Sequence, residues 1–125
     1  MSTLHIPESK ESEKALLGAI LINPSILDRV SIEPERFYDI GHQEIYRVMR
    51  AIGSRELDLL TLTEVLERKN KLELVGGKIY LMQLPNACPQ TYNFETYERI
   101  IRDTAIRRFV IDAAGRLAKE AYNEQ

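Results

Sequence analysis

The chain has 125 residues, 44% of them hydrophobic and 29% charged, with a net charge of −2; this is the composition of one globular domain able to bury its own core, not of a disordered segment. No apolar run approaches the ~18 residues that span a bilayer, and Met1 to His5 lack the basic and apolar regions of a signal peptide, so a cytoplasmic protein without a membrane segment is expected. The single cysteine, Cys88, rules out an intrachain disulfide and fits a reducing compartment.

Taken in order, almost every segment reads as helix. Ser9 is placed to cap a first helix whose early turns carry Glu11 and Glu13, where negative charge meets the positive end of the helix dipole. Ala15, Leu16, Ala19 and Ile20 recur at helical spacing and Leu17 and Leu21 widen the apolar face, so this helix should be largely buried. Asn23-Pro24 reads as a cap followed by proline at the first helical position, opening a short helix to about Val30. Glu33-Pro34-Glu35 starts another turn, after which Phe37 and Tyr38 are expected in the core. Ile40, Ile45, Val48, Met49 and Ile52 fit one helix that Gly53 can end.

Thr61 with Glu64 has capping-box spacing, and Leu62, Val65 and Leu66 should then face inward until Lys69-Asn70-Lys71 stops the helix. Gly76-Gly77 permits a tight turn into a helix with Ile79, Leu81, Met82 and Leu84 as core residues, ended by Pro85. Asn86 to Gln90 is expected as a loop.

From about Asn93 to Tyr122 there is no proline and one glycine, so a single helix of ~45 Å is expected at 1.5 Å per residue. Tyr97, Ile101 and Ala105 form one apolar stripe; Ile106, Phe109, Val110, Ala113, Ala114, Leu117 and Ala121 form a second. One stripe can pack on the preceding domain, while the distal one has nothing within the chain to cover it unless the helix bends back. A partner helix is the favoured reading.

Several chemistries find no residues to support them. The two histidines are far apart with no cysteine pair beside them, so neither is expected to ligate a metal. Gly76-Gly77-Lys78-Ile79 lacks the spacing and the hydroxyl of a phosphate-cradling Walker sequence. No serine or cysteine is visibly placed with a histidine and an orienting acid. Glu11 and Glu13, like Glu33 and Glu35, stand two apart and do not share a helix face, so both pairs are expected as solvated surface charge. His42, at a helix start, is expected to pack or cap. No catalytic, cofactor-binding or metal-binding residue is assigned. The first sixty residues hold seven basic and ten acidic groups and residues 93 to 125 hold six of each, so no basic stripe for phosphates is apparent.

One set of spaced blocks is more specific. Ile6-Pro7, Glu13-Lys14-Ala15-Leu16-Leu17-Gly18-Ala19, Asn23-Pro24, Phe37-Tyr38 with His42 and Ile45-Tyr46, Asp58-Leu59-Leu60-Thr61, and Gly76-Gly77-Lys78-Ile79-Tyr80-Leu81 together resemble the amino-terminal domain of the DnaB-type replicative DNA helicases of bacteria and their phages. The resemblance implies an all-α fold: a compact head of about six short helices over residues 1–92, then one long helix over 93–125 that begins a helical hairpin. It also implies that the hairpin's second helix and the ATPase motor, where ATP and Mg would bind, lie outside these residues. Such domains pair through their hairpins into a hexameric collar that receives the primase and, in some systems, a loader, DNA being bound mainly by the full hexamer. The candidate interface residues on this chain are those left outside the inferred core: Glu11, Tyr80 and, on the distal long helix, Ile106, Val110, Ala113, Ala114, Leu117 and Ala121, with Glu11, Tyr80 and the distal helix expected to contact primase.

Two other readings stay open at this point. One is a helix-turn-helix nucleic-acid binder using Thr61 to Asn70 and Gly77 to Leu84, although Lys78 to Leu84 offers few groups for base edges. The other is a free-standing helical adaptor of the same fold.

Overall fold

Helix α1 (Lys10–Ile22) begins where the Ser9 hydroxyl accepts the Ser12 amide, and its buried face runs through Leu16, Leu17, Ala19 and Ile20. The computed structural model describes residues 4–123. Asn23 then accepts from the Ser25 amide and starts a 3₁₀ turn over Pro24–Arg29, so the proline-led segment is tighter than an α-helix. A second such turn spans Pro34–Arg36. α2 (Ile40–Ile52) is capped by Asp39, which accepts the His42 amide, and stops at Gly53, whose φ of 88° suits glycine.

α3 (Leu59–Arg68) starts three residues earlier than the Thr61–Glu64 pattern indicates. Asp58 is its cap: the Asp58 carboxylate accepts the Thr61 amide while the Thr61 hydroxyl accepts the Asp58 amide. A carboxylate three residues ahead of a hydroxyl satisfies the same reciprocal bonds as the expected pair. Asn70, at φ 57°, turns the chain out of this helix. α4 (Gly77–Gln83) is one short helix that runs directly into a 3₁₀ turn over Leu84–Ala87, so the first two of the five residues of the expected Asn86–Gln90 loop are helical turn. A last turn at Thr91–Asn93 leads into α5 (Phe94–Tyr122), 29 residues and ~43 Å long.

The core forms where α1 crosses the others. Its apolar residues join Ile26, Phe37, Ile45, Tyr46, Met49, Leu62, Leu66, Leu81, Leu84 and Ile101 in one cluster. Phe37 and Tyr46 lie with ring centroids 5.0 Å apart, and the Tyr46 hydroxyl donates to the Ile32 carbonyl at 2.9 Å, which lets a phenol sit fully buried. α1 also lies directly on the 84–87 turn: a Cβ at Gly18 would stand 2.1 Å from the Leu84 carbonyl oxygen. Only glycine allows that approach.

Three apolar residues expected inside are outside. Tyr38, Ile79 and Met82 are all exposed. Tyr38 follows Phe37 in extended backbone, where neighbouring side chains point to opposite sides, so only one of the two can enter the core. Ile40, at the very start of α2, is exposed as well, and in α4 only Leu81 is fully buried, with Tyr80 half-buried against the core and Leu84 in the turn that follows.

Candidate interaction surfaces

Three side chains that meet at the junction of α1, α2 and α4 set the first surface. Glu13 is fully buried, contrary to its expected place on the surface. Its carboxylate accepts from the Tyr38 amide at 2.7 Å and the Asp39 amide at 3.3 Å, and lies 2.7 Å from His42 Nδ1. Burying a carboxylate costs several kcal/mol unless such partners replace water, and three do so here. The other ring nitrogen of His42 meets the Tyr80 hydroxyl. The two ring nitrogens thus bridge a carboxylate on α1 and a hydroxyl on α4, the direction of each bond depending on the tautomer of the ring. Burial pushes the pKa of the phenol up to about 12, helped by the charges of Asp39 and Glu13, so it keeps its proton.

The expected surface residue Tyr80 is therefore half-buried and engaged: its hydroxyl is inside the network and its ring packs against the core. What it offers outward is a ring face, over which Lys14 Nζ stands 5.9 Å from the centroid. Lys14 also lines, with Glu11, Ala15, Pro89 and Tyr97, a depression between α1 and the loop before α5. Glu11 is exposed and lines this depression, whereas Tyr80 does not line it and is linked to it only through the side chain of Lys14.

The second surface is α5. Its proximal half is fixed to the head by Phe94, Ile101 and Ala105, and by a buried Glu98 that accepts from the Ser31 amide at 2.8 Å and the Ile32 amide at 3.2 Å. The last attachment is Arg108. Its guanidinium donates to the Pro7 and Arg36 carbonyls, each at 2.8 Å, and lies 5.2 Å from the Tyr38 ring centroid. Beyond it the helix leaves the head. Ile106, Phe109, Val110 and Leu117 are exposed, Leu117 at 68%, and Ala114 and Ala121 are exposed with them while Ala113 is half-buried. The helix does not bend back to cover this stripe.

The six apolar candidates Ile106, Val110, Ala113, Ala114, Leu117 and Ala121 accordingly lie along one helix, separate from the Glu11–Tyr80 region. Reading the sequence missed Glu13, Glu98 and Arg108. A signal existed for each. Glu13 is three, four and seven residues ahead of Leu16, Leu17 and Ile20, and Glu98 and Arg108 fall in register with Ile101 and Ala105, so all three stand on buried faces.

Among the described residues no group of three or more histidine, cysteine or acidic side chains is placed to hold a metal, and no helix is long and apolar enough to cross a membrane. Cys88 is buried beside Gly18, and its thiol pKa is raised by burial. α4 presents Lys78, Ile79 and Met82 outward, a poor set for reading base edges.

Known proteins resemble the chain over nearly all of this architecture. The replicative DNA helicase DnaC of Bacillus subtilis (strain 168) is 37% identical over 123 residues, covering 95% of the chain and 27% of that helicase. The replicative DNA helicase DnaB of Rhodothermus marinus is 39% identical over 121 residues, which is 94% of the chain and 13% of that protein. The chain thus spans about a quarter or less of the length of these relatives. Among solved structures, the N-terminal domain of DnaB helicase from Mycobacterium tuberculosis superposes with a TM-score of 0.90 at 26% identity, over 95% of this chain and 89% of that one. A DnaB-like replicative helicase described with its interactions with primase shares the fold, with a TM-score of 0.79 at 23% identity over 91% of this chain and 28% of that one. With residues 5–103 matched by the model of the DnaB-like helicase N terminal domain, the chain belongs to that family.

Proposed function

We propose that this chain works as the non-catalytic amino-terminal interaction domain of a hexameric replicative DNA helicase. In this reading α5 is the first helix of a hairpin that pairs subunits into a collar, and the Glu11–Tyr80 region receives primase or, in some systems, a loader. Unwinding, with its ATP and Mg, belongs to a motor domain of the kind the full-length relatives carry. DNA is then held mainly by the assembled hexamer.

The observation that carries the reading is the distal half of α5: a rigid helix that leaves the head with large apolar side chains facing water, in a domain of this family. Exposed apolar area of this kind contributes ~25 cal/mol per Å² when a partner covers it. The resemblance to a helicase described with its interactions with primase supports the partner class.

Sedimentation tests the pairing. If the second helix of the hairpin follows Gln125, the 125-residue chain sediments as a monomer or a weak associate at micromolar concentration, while a full-length protein that contains it forms hexamers. A tight hexamer of the 125-residue chain overturns that assignment. For the partner surface, Glu11→Lys in the full-length helicase is expected to reduce primase stimulation at least ~10-fold, about 1.4 kcal/mol of binding. Unchanged stimulation removes the Glu11–Tyr80 region from the proposal.

A further inference from the structure

A second depression lies between α3 and α4 and shares no lining residue with the first depression, with Tyr80 or with α5. It is about 490 Å³ in volume, within the range of sites that take several side chains. Leu59, Leu60, Thr63 and Met82 line it, with Leu60 71% and Met82 53% exposed, and Ile79, one turn before Met82, extends the apolar area outward. Large apolar side chains gathered in this way mark interaction sites more often than they mark incidental surface.

The charges around the groove are arranged by wall. Glu64 and Glu67 stand four and seven residues after Leu60, so the three share one face of α3, and Lys78 stands one turn before Met82 on α4. Neither carboxylate nor the ammonium takes part in an ion pair among the described residues, in contrast to Glu44, which is held by both Arg47 and Lys71. The α3 wall is therefore an unneutralised acidic edge beside an apolar floor.

We propose that this groove is a docking site for an amphipathic helix of a partner protein, one that places an apolar stripe on Leu60 and Met82 and a row of lysines or arginines along the α3 wall. The acidic wall selects the partner's charge and orientation, and the apolar floor supplies most of the affinity. The reading goes beyond subunit pairing and primase binding, since it uses different residues and a different face of α4 from Tyr80, and its test is separate from theirs.

An NMR titration of the ¹⁵N-labelled chain tests it, the probe being a synthetic helical peptide with leucines on one face and lysines flanking them, alongside a copy with glutamates in place of the lysines. The lysine peptide is expected to shift amides at Leu60, Glu64, Glu67 and Met82. The double substitution Glu64→Lys with Glu67→Lys weakens that binding at least ~10-fold, whereas Lys78→Glu strengthens it a few-fold. Opposite signs from two exposed walls cannot both come from unfolding. Equal affinity for the two peptides, shifts confined to the distal half of α5, or concentration-dependent shifts in the groove without peptide would each overturn the proposal, the last by assigning the groove to a second copy of the chain.

Discussion

The head and the distal half of α5 are both helical, yet they stand on opposite physics. In the head, most of the large apolar side chains join one covered cluster, and every buried side-chain nitrogen or oxygen among the described residues has a partner. Beyond Arg108, large apolar side chains face water, held straight by the helix's own backbone bonds and little else. A surface exposed to solvent is poor for the stability of one chain and useful for joining two. The boundary between the regimes is narrow: from Ala105 to Phe109 the helix passes from buried to 62% exposed. Substitutions should therefore divide sharply into those that unfold the head and those that leave it unchanged.

The largest effect is expected at Glu13. Removing its carboxylate leaves the Tyr38 and Asp39 amides and His42 without their acceptor in a buried site, so Glu13→Ala should cost about 3–5 kcal/mol in urea unfolding. A loss below ~1 kcal/mol would mean that the three-helix junction is organised by packing alone. Gly18→Ala comes next. Its Cβ would collide with the Leu84 carbonyl, and backbone on both sides must give, for about 1–3 kcal/mol. A neutral Gly18→Ala would show that α1 and the 84–87 turn are not locked together.

These two residues also show where the sequence is legible and where it is not. The helices and their caps at Ser9, Asn23 and Gly53 follow from local chemistry, because a cap needs only its neighbours in the chain. Leu16, Ile45 and Leu62 are visible as core from their spacing. Glu13 is not, since a glutamate on an apolar face is ordinarily expected to turn away, and the three donors that hold it come from residues 25 to 29 positions later. Tyr80 is hidden for the same reason: its hydroxyl partner lies 38 residues away on another helix. The exposure of the apolar residues on distal α5 is legible because it reflects an absence of neighbours, which a long uninterrupted helix announces by its length.

Arg108 sharpens the boundary itself. Arg108→Ala deletes two charge-assisted bonds to carbonyls from a partly exposed guanidinium, and should cost about 1 kcal/mol of stability. Its more informative consequence is geometric. With the clamp on Pro7 and Arg36 gone, the last fixed points of α5 are Ile101 and Ala105, so the distal helix should sample a wider range of directions. Spin labels on the head and near Leu117 should then report a broadened distance distribution. An unchanged distribution would place the direction of α5 in the packing of its proximal half and leave Arg108 as a local contact.

The smallest effect on stability is expected at the stripe, where it is also the most discriminating. Val110→Asp combined with Leu117→Asp puts charges where water already reaches, so the unfolding free energy of the 125-residue chain should move by no more than ~0.5 kcal/mol. In a full-length protein carrying the domain, the same pair should abolish assembly, because two carboxylates would then have to be buried against an apolar helix. The combination is the point: an intact head with a lost oligomer assigns Val110 and Leu117 to association alone. If the head is destabilised by more than ~1 kcal/mol, the distal helix contributes to the fold through contacts that its exposure does not suggest. If assembly survives, the pairing surface lies on another face of α5, with Ile111, exposed at 57% on a different side of the helix, the next residue to substitute.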